Sequence, residues 1–450
     1  MMNIKRFEKM RRLLTVITTF IGVTVAVNAF AQTPGADRPA ISGALTLDSA
    51  VKTGLRESLA LRVSQADIKS ATAATRIARS QKLPQLSATT YLTYGDFANI
   101  YNASPNVTPA NSIVAPSQGY ADQNFTLSVP LYTSGRLENQ IRAASGRERA
   151  ASLDLGEMRL EIALKIKEAY YRALLAGEGI KVGQARSEAA AELIKNAQAL
   201  FEAGKGLQAS VFRAEAEAAD ARRMLMNAEN LQAKAMLEMK VEMGVRLDSD
   251  IRLANALEFV PTVQDLAAQL SEAARRRPGL QSANMKIAAS RDETQAVKSS
   301  QGLQVYAVAM ADGLISHPLG TREGYSVGLT LSLPILDGGR RRAETAQARA
   351  LEDRLEAEER NLSLRIESEV REAWLDHQTA NENYQSAISA LKSAQSAYDV
   401  TALRVQNQKG LLIEQLDSQS ALTQARLNVA QAIYERSVAI ARLKRAVGSE

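Results

Sequence analysis

The chain contains no cysteine. It can therefore form no disulfide and carries no cysteine to which a lipid could be attached, so packing or assembly must supply its stability. Histidine is nearly as scarce: His317 and His377 are the only two, one in a loop pattern and one on a helical seam. No Cys/His cluster, phosphate-binding Gly-rich loop or G-x-S-x-G elbow is present. No catalytic residue, metal site or cofactor is expected. Beyond residue 31 no stretch approaches the roughly 20 apolar residues that a membrane-spanning helix needs. If the chain enters a bilayer past that point, it must do so as β-strands, because only helices and closed barrels satisfy the backbone in lipid. A basic stripe with interleaved aromatics is also missing, which argues against nucleic acid as a partner.

What is present begins with an export pattern. Lys5, Arg6, Lys9, Arg11 and Arg12 precede the mostly apolar run Leu13–Val27, and Ala29-Phe30-Ala31 supplies a small-x-small cleavage site. Residues 1–31 are therefore expected to be a secretory signal peptide. With Glu8 this segment holds +4 of the net charge of +6, leaving +2 for the rest. Residues 32–44, rich in Pro, Gly and Ala, are expected to be a flexible lead-in.

The remainder is written twice. Val129-Pro-Leu-Tyr-Thr-Ser-Gly-Arg136 recurs as Leu333-Pro-Ile-Leu-Asp-Gly-Gly-Arg340. The same shift of 204 pairs Leu127 with Leu331, Ala169 with Ala373, Lys205-Gly206 with Lys409-Gly410, and Gly244 with Gly448. A period this long means two copies of one structural unit: repeat 1 over 45–249, a linker over 250–265, and repeat 2 over 266–448. Each copy reads as helix, β-hairpin (85–132 and 304–336), very long helix, tight turn, helix.

In the first hairpin Leu86, Ala88, Thr90, Leu92 and Tyr94 alternate with polar residues, as do Phe125, Leu127, Val129 and Leu131 on the return. Period two on both sides argues for paired strands. Aligning Leu61 with Leu280 needs a shift of 219 before the hairpin, against 204 after it. The first hairpin is therefore 15 residues longer, and insertions of this kind collect at exposed loop tips. After each Gly-Arg the pattern becomes helical. Ile162, Ile166, Ala169, Ala173, Ala176 and Ile180 step by four and three, as do Ile366, Val370, Ala373, His377, Ala380 and Tyr384, which is a coiled-coil seam. The helix from Arg136 to about Ala203 lacks proline and would span roughly 100 Å. Its many seam alanines imply close helix approach, and Trp374, opposite Tyr170 in the repeat, is expected to pack there.

Seven of the twelve tyrosines (Tyr91, Tyr94, Tyr101, Tyr120, Tyr132, Tyr306, Tyr325) fall in the two hairpin regions, as at the ends of membrane strands. Four strands cannot close a barrel, since the smallest membrane barrels have about eight. Several chains must then contribute to one barrel, and the expected class is a mixed α/β membrane protein: a shared β-barrel continued by a long α-helical coiled-coil barrel.

At this point the residues resemble a known family. The paired hairpins, the doubled (V/L)-P-L-x-x-x-G-R boundary and the second-half turn look like TolC-type outer-membrane efflux proteins, over about residues 45–448. The resemblance implies a homotrimer with a twelve-stranded barrel in outer-membrane lipid and a helical tunnel crossing the periplasm. It also implies docking on a periplasmic adaptor and an inner-membrane transporter, with passive conduction. It implies further roles for particular residues. Pro130, Gly135, Arg136, Pro334, Gly339 and Arg340 mark the strand–helix junctions. Gly204, Lys205, Gly206, Lys409 and Gly410 form the adaptor-docking tip, where Gly206 and Gly410 suit positive φ, and Gln408 departs from the pattern by replacing a glycine. Glu414 and Asp417, one turn apart on one helix face, would form stacked acidic rings at the periplasmic aperture, selecting and binding cations. Their repeat-1 partners, Ser210 and Arg213, are not acidic, and Val405 and Gly410 stand where an aromatic and a basic latch residue belong in the family.

Other clusters read as structural. Arg275-Arg276-Arg277 and Arg340-Arg341-Arg342 are expected to be solvated helix-end charges. Met224, Met226, Met236, Met239 and Met243 suit core packing better than soft-metal ligation. The competing reading of the whole chain is a periplasmic coiled-coil scaffold without a pore. Drug efflux, metal efflux and protein secretion are not separated by these residues.

Overall fold

The computed structural model describes residues 39, 41–93, 120–254, 265–316, 320–407 and 409–449. The expected signal peptide, most of the lead-in, Tyr94, Tyr101, His317 and Gln408 lie outside the described residues.

A short strand β1 (Gly43–Leu45) leads into α1 (Leu47–Glu57) and α2 (Leu59–Ser80). β2 (Gln85–Thr93) and β3 (Tyr120–Tyr132) form the first hairpin, followed by the long helix α3 (Arg136–Glu202) and the return helix α4 (Gln208–Glu242). The order then repeats: β4 (Ile251–Leu253), α5 (Leu266–Arg276), α6 (Pro278–Ser299), β5 (Gln304–Ser316), β6 (Gly320–Ser332), α7 (Arg340–Gln406) and α8 (Leu412–Val447). No described helix is long and apolar enough to cross a membrane.

The stretch from Leu45 to about Ser80, helical in character from its sequence, forms two helices that break at Ser58. Thr46 and Ser49 form a reciprocal capping box that starts α1, and the Ser58 hydroxyl accepts from the Leu61 N–H to start α2, each satisfying helix-end donors. The expected lead-in and linker also hold structure. β1 pairs in parallel with β4, Gly43 opposite Ile251 and Leu45 opposite Leu253. Two three-residue strands about 200 residues apart leave no periodic trace, which is why the pattern missed them.

The larger sheet runs β2-β3-β5-β6, antiparallel throughout. Its register sorts the strands into two faces. Leu86 opposes Leu127, which opposes Ala309, which opposes Val327. Ala88, Phe125, Ala311 and Tyr325 form the next row on that side, and Tyr325 and Val327 are 90% and 80% exposed. The opposite face carries Ser87, Thr126, Met310 and Ser326 in one row and Thr89, Asn124 and Asp312 in another. There the Asn124 amide donates to the Asp312 carboxylate, and the Thr126 hydroxyl donates to Asn124 Oδ1. An apolar face left open to the surroundings, backed by a polar one, is the patterning of a membrane barrel wall.

Two apolar clusters lie at corresponding places along the helices. Ile162, Ile166, Ala169 and Tyr170 of α3 pack with Leu45, Val51, Leu61, Met239, Met243 and Val245. Ile366, Val370 and Ala373 of α7 pack with Ala273, Leu443, Ala446 and Val447, with Trp374 partly buried against them. Burying each large aliphatic side chain contributes about 2 kcal/mol. The Tyr170 hydroxyl donates to the Leu45 carbonyl at 2.9 Å, tying α3 to β1. Toward the far end the buried positions become mostly alanine: Ala190, Ala218 and Ala221, then Ala197 and Ala214 around Leu193. On Gly183 a Cβ would lie 3.2 Å from the Leu225 Cα, so α3 and α4 are in backbone-close contact.

Met239 and Met243 are fully buried and Met236 packs against them. Met224 Sδ accepts from Arg186 Nη1. Met226 differs from expectation: it is exposed on α4 and takes no part in that core.

Candidate functional site

Each strand–helix junction is built on left-handed backbone. Gly135 caps α3 at φ +83° and Gly339 caps α7 at φ +90°, a conformation that costs a side-chain-bearing residue about 1–2 kcal/mol. In the first junction Arg136 turns back onto the sheet. Its Nε donates to Gln304 Oε1 at 3.3 Å, its Nη2 to the Tyr306 hydroxyl at 3.0 Å, and its Nη1 to Gln140 Oε1 at 3.3 Å. Tyr306 thus serves the junction. Gln304 in turn donates to the carbonyls of Thr133 and Ser299, so the end of β3 and the start of β5 are held by one network.

The second junction is different. Arg340 is exposed, and its guanidinium donates to Glu344 Oε1 at 3.1 Å and to no other described residue. Asp337 accepts from the N–H groups of Gly339 and Arg341 and lies 2.8 Å from Arg341 Nε. Desolvation opposes its ionisation, but the Arg341 and Gly339 N–H groups and the Arg341 charge hold its carboxyl below the usual aspartate range. Arg341 is therefore a paired residue, not a solvated one.

The other Arg triplet is corrected more strongly. Arg277 is 2% exposed. Its Nε contacts both Glu157 carboxylate oxygens at 3.0 and 3.2 Å, and its Nη2 lies 2.8 Å from Glu369 Oε2. Its Nη1 donates to the carbonyls of Arg445 and Ala446 at 3.0 and 2.8 Å, satisfying acceptors at the C-terminal end of α8. Arg445 shares both carboxylates. One buried guanidinium therefore ties α3, α7, α8 and the α5–α6 corner together.

At the far end the two helical hairpins turn over Gly204-Lys205-Gly206 and Lys409-Gly410. The first turn closes with Lys205 N–H on the Leu200 carbonyl and Gly204 N–H on the Phe201 carbonyl, with Gly204 at φ +71°, which is a Schellman stop. The positive φ expected at Gly206 and Gly410 is not found there. Those glycines instead allow close approach. A Cβ on Gly206 would lie 3.1 Å from Leu200 and Phe201 backbone atoms, and one on Gly410 3.0 Å from the Arg404 Cβ. Lys205 and Lys409 are exposed, as are Leu207 and Leu411, which start the return helices.

Glu414 and Asp417 occupy the first turns of α8, where a helix N-terminus favours acidic side chains. Asp417 is exposed. Glu414 is half-buried, and its Oε2 lies 3.6 Å from Arg404 Nη1 across the turn. The two acids are thus not equivalent: one faces solvent, the other faces a guanidinium. Arg404 has no charged counterpart in the first copy, where Leu200 stands, and that contrast between copies is the signal by which it could have been found. His377 is buried in the α7 seam, where Arg436, also buried, contributes a nearby positive charge. Burial first, and that charge second, push its imidazole below the ordinary value of 6.5. Among the described residues no group of three or more His, Asp or Glu could hold a metal ion.

This combination is an amphipathic sheet with one open apolar face, continued by two helices of 67 residues that pack with their return helices as coiled coils. A family model described as outer membrane efflux protein matches residues 51–244 and 269–449. The chain belongs to that family. It is an outer-membrane channel for efflux, seated in the outer membrane and extending into the periplasm. Protein CyaE of Bordetella pertussis is 26% identical over 389 residues, covering 85% of this chain and 79% of that protein. The solved outer-membrane channel OprN matches with a TM-score of 0.75 at 21% identity, covering 90% of each chain. The Campylobacter jejuni CmeC outer membrane channel matches with a TM-score of 0.76 at 17% identity, covering 89% of this chain and 85% of that one.

Proposed function

We propose that three copies of this chain close one twelve-stranded barrel in the outer membrane, continued by a helical tunnel whose tips dock on a periplasmic adaptor. The observation that carries this reading is the sheet: four strands whose edges, β2 and β6, have no strand partner among the described residues. Open edges cannot persist in lipid, and four strands fall well short of the roughly eight that a barrel needs. Further copies supply the missing strands. Conduction is then passive, with energy supplied by an inner-membrane transporter on the other side of the adaptor.

In this reading the exposed Lys205, Leu207, Lys409 and Leu411 face the adaptor, and Glu414 and Asp417 line the periplasmic aperture. The protein should fractionate with outer membrane as a heat-dissociable trimer and conduct ions in planar bilayers. Replacing Glu414 and Asp417 together by Ala should lower cation selectivity and relieve block by multivalent cations. A soluble monomer without conductance would overturn the channel architecture, and unchanged selectivity would remove the two acids from the aperture.

A further inference from the structure

Below the outer limit of its apolar face, the larger sheet holds one charge. From the row of Thr89, Asn124, Asp312 and Gly324 to the strand–helix junctions, the four strands carry no Asp, Glu, Lys or Arg on either face except Asp312. The neighbouring rows fix its height. One residue nearer the helices, the apolar face bears Ala88, Phe125, Ala311 and Tyr325. One residue farther from them, it bears Thr90, Gln123, Gly313 and Glu323. The apolar band thus ends level with Asp312, and its last row carries aromatic rings, as at the edge of a membrane strand. Glu414 and Asp417 lie beyond the far end of α7, about 100 Å of helix away.

Asp312 stands on the polar face, and its neighbours hold it at the wall while leaving the space beside it open. The Asn124 amide donates to its carboxylate, and the Thr126 hydroxyl fixes Asn124 in turn. Its hydrogen-bond partner is therefore neutral, whereas Glu414 faces the Arg404 guanidinium. On the β6 side it opposes Gly324, where a Cβ would meet nothing within 4 Å. Gly328, farther along the same face, is equally open. Asp312 itself is exposed. A carboxylate in this position meets no neighbouring cation that would cancel its field and no bulky side chain that would screen it.

We propose that Asp312 sets the charge selectivity of the membrane wall: one carboxylate from each copy forms a ring inside the outer mouth of the barrel, which enriches small cations there and depletes anions. The proposal rests on the multi-chain barrel reading above and adds to it a selecting residue remote from the periplasmic acids. Substitutions on the lumen face of a barrel tune selectivity in this way. The ring acts through its field on ions in passage and holds none of them. A single carboxylate about 8 Å from the ion path, in about 0.1 M salt, changes the local ion concentration by about 1.5-fold, and three together by about threefold. Cations rise and anions fall by that factor, so their ratio shifts by about tenfold.

The absence of native cysteine lets a single reporter thiol read this field. Ser326 is exposed on the polar face, one row nearer the helices than Gly324. In the full-length protein carrying Ser326→Cys, the rates of modification by a cationic and by an anionic methanethiosulfonate of similar size give the local ratio directly. Adding Asp312→Asn, which keeps the shape of the side chain, should lower the cationic-to-anionic rate ratio by about tenfold. Adding Gly324→Lys instead, which sets a cation opposite the acid, should lower it in the same direction. Both variants are compared as heat-dissociable trimers, so a change of rate is not a failure to assemble. A reporter thiol modified by both reagents at a ratio that Asp312→Asn shifts by less than twofold overturns the ring while leaving the barrel reading intact. A thiol at Ser326→Cys that excludes both reagents, with one at Val327→Cys that accepts both, overturns the ring and the barrel reading together.

Discussion

Arg277 Nη2 lies 2.8 Å from Glu369 Oε2, inside a network that also holds Glu157 and two carbonyls at the end of α8. Removing the cation strands two carbonyl acceptors and leaves two carboxylates sharing Arg445 at the point where four helices meet. Arg277→Met should destabilise the fold by about 3 kcal/mol, the scale for breaking one side of a buried pair. Arg276→Ala should change little, because its pair with Glu272 is solvent-exposed. Circular-dichroism melts of the detergent-solubilised protein distinguish the two; equal effects would place the network outside the stability of the fold.

Stability should fall on mild acidification because of His377. Its imidazole titrates below the ordinary value of 6.5 when folded, so below that value the unfolded chain binds more protons than the folded one. Stability is therefore fully present above pH 6.5 and declines as pH drops through the window beneath it. His377→Ala, which installs the residue found at Ala173 in the first copy, should flatten the melting temperature between pH 7 and pH 5. An unchanged slope would show that other groups set it.

The two faces of the sheet should respond oppositely to charge. Val327 and Ser326 are neighbours in β6 but point to opposite sides. Val327→Arg places a cation on the apolar face and should cost about 2–4 kcal/mol near mid-membrane, seen as loss of the heat-dissociable form from the outer-membrane fraction. Ser326→Arg, on the face bearing Asn124 and Asp312, should assemble normally. The reverse order would invert the assignment of the faces.

Arg404 should moderate the aperture charge. Its guanidinium sits 3.6 Å from Glu414, so within the channel reading it compensates one of the two acids. A unit charge about 6 Å from a permeating ion in water changes its local concentration by about two- to threefold. Arg404→Gln should raise the cation-to-anion permeability ratio by about that factor, and Arg404→Gln with Glu414→Gln should return it toward the starting value. Reversal potentials under a salt gradient give the ratio directly.

Much of this molecule was legible because its constraints are periodic. The alternation in Leu86–Leu92 and Phe125–Leu131 reflects a sheet with two different surroundings. The four-three spacing from Ile162 and Ile366 reflects helices that pack along one face, and every seam residue from Ile366 to Ala380 is buried. What escaped notice depends on single long-range encounters. Gly43 meets Ile251 with no pattern to announce it. Arg277 reads like the exposed Arg275 and Arg276, and only the backbone turn between α5 and α6 directs it inward. Glu414 and Asp417 look alike in sequence, yet the fold sets one against Arg404 and leaves the other facing solvent. The sequence suggests positive φ at Gly206, but the turn takes it at Gly204, because the helix ends at Glu202 with Ala203 as its C-cap and Gly204 next in line.

α3 and α7 are both 67 residues long, and Leu412 and Leu416 of the second tip pack against Leu193, Ala197 and Val211 of the first. Depth is therefore a single heritable quantity stored in two places. A one-residue insertion in either helix would swing everything beyond it by about 100° and separate tips that now touch. Evolution can change the reach of this conduit only by whole superhelical periods, about 7 or 11 residues, entered in both halves and on both the outgoing and the returning helix. Divergence between the copies is left to residue identity and to the outer loop, where a length difference of 15 residues has no such consequence.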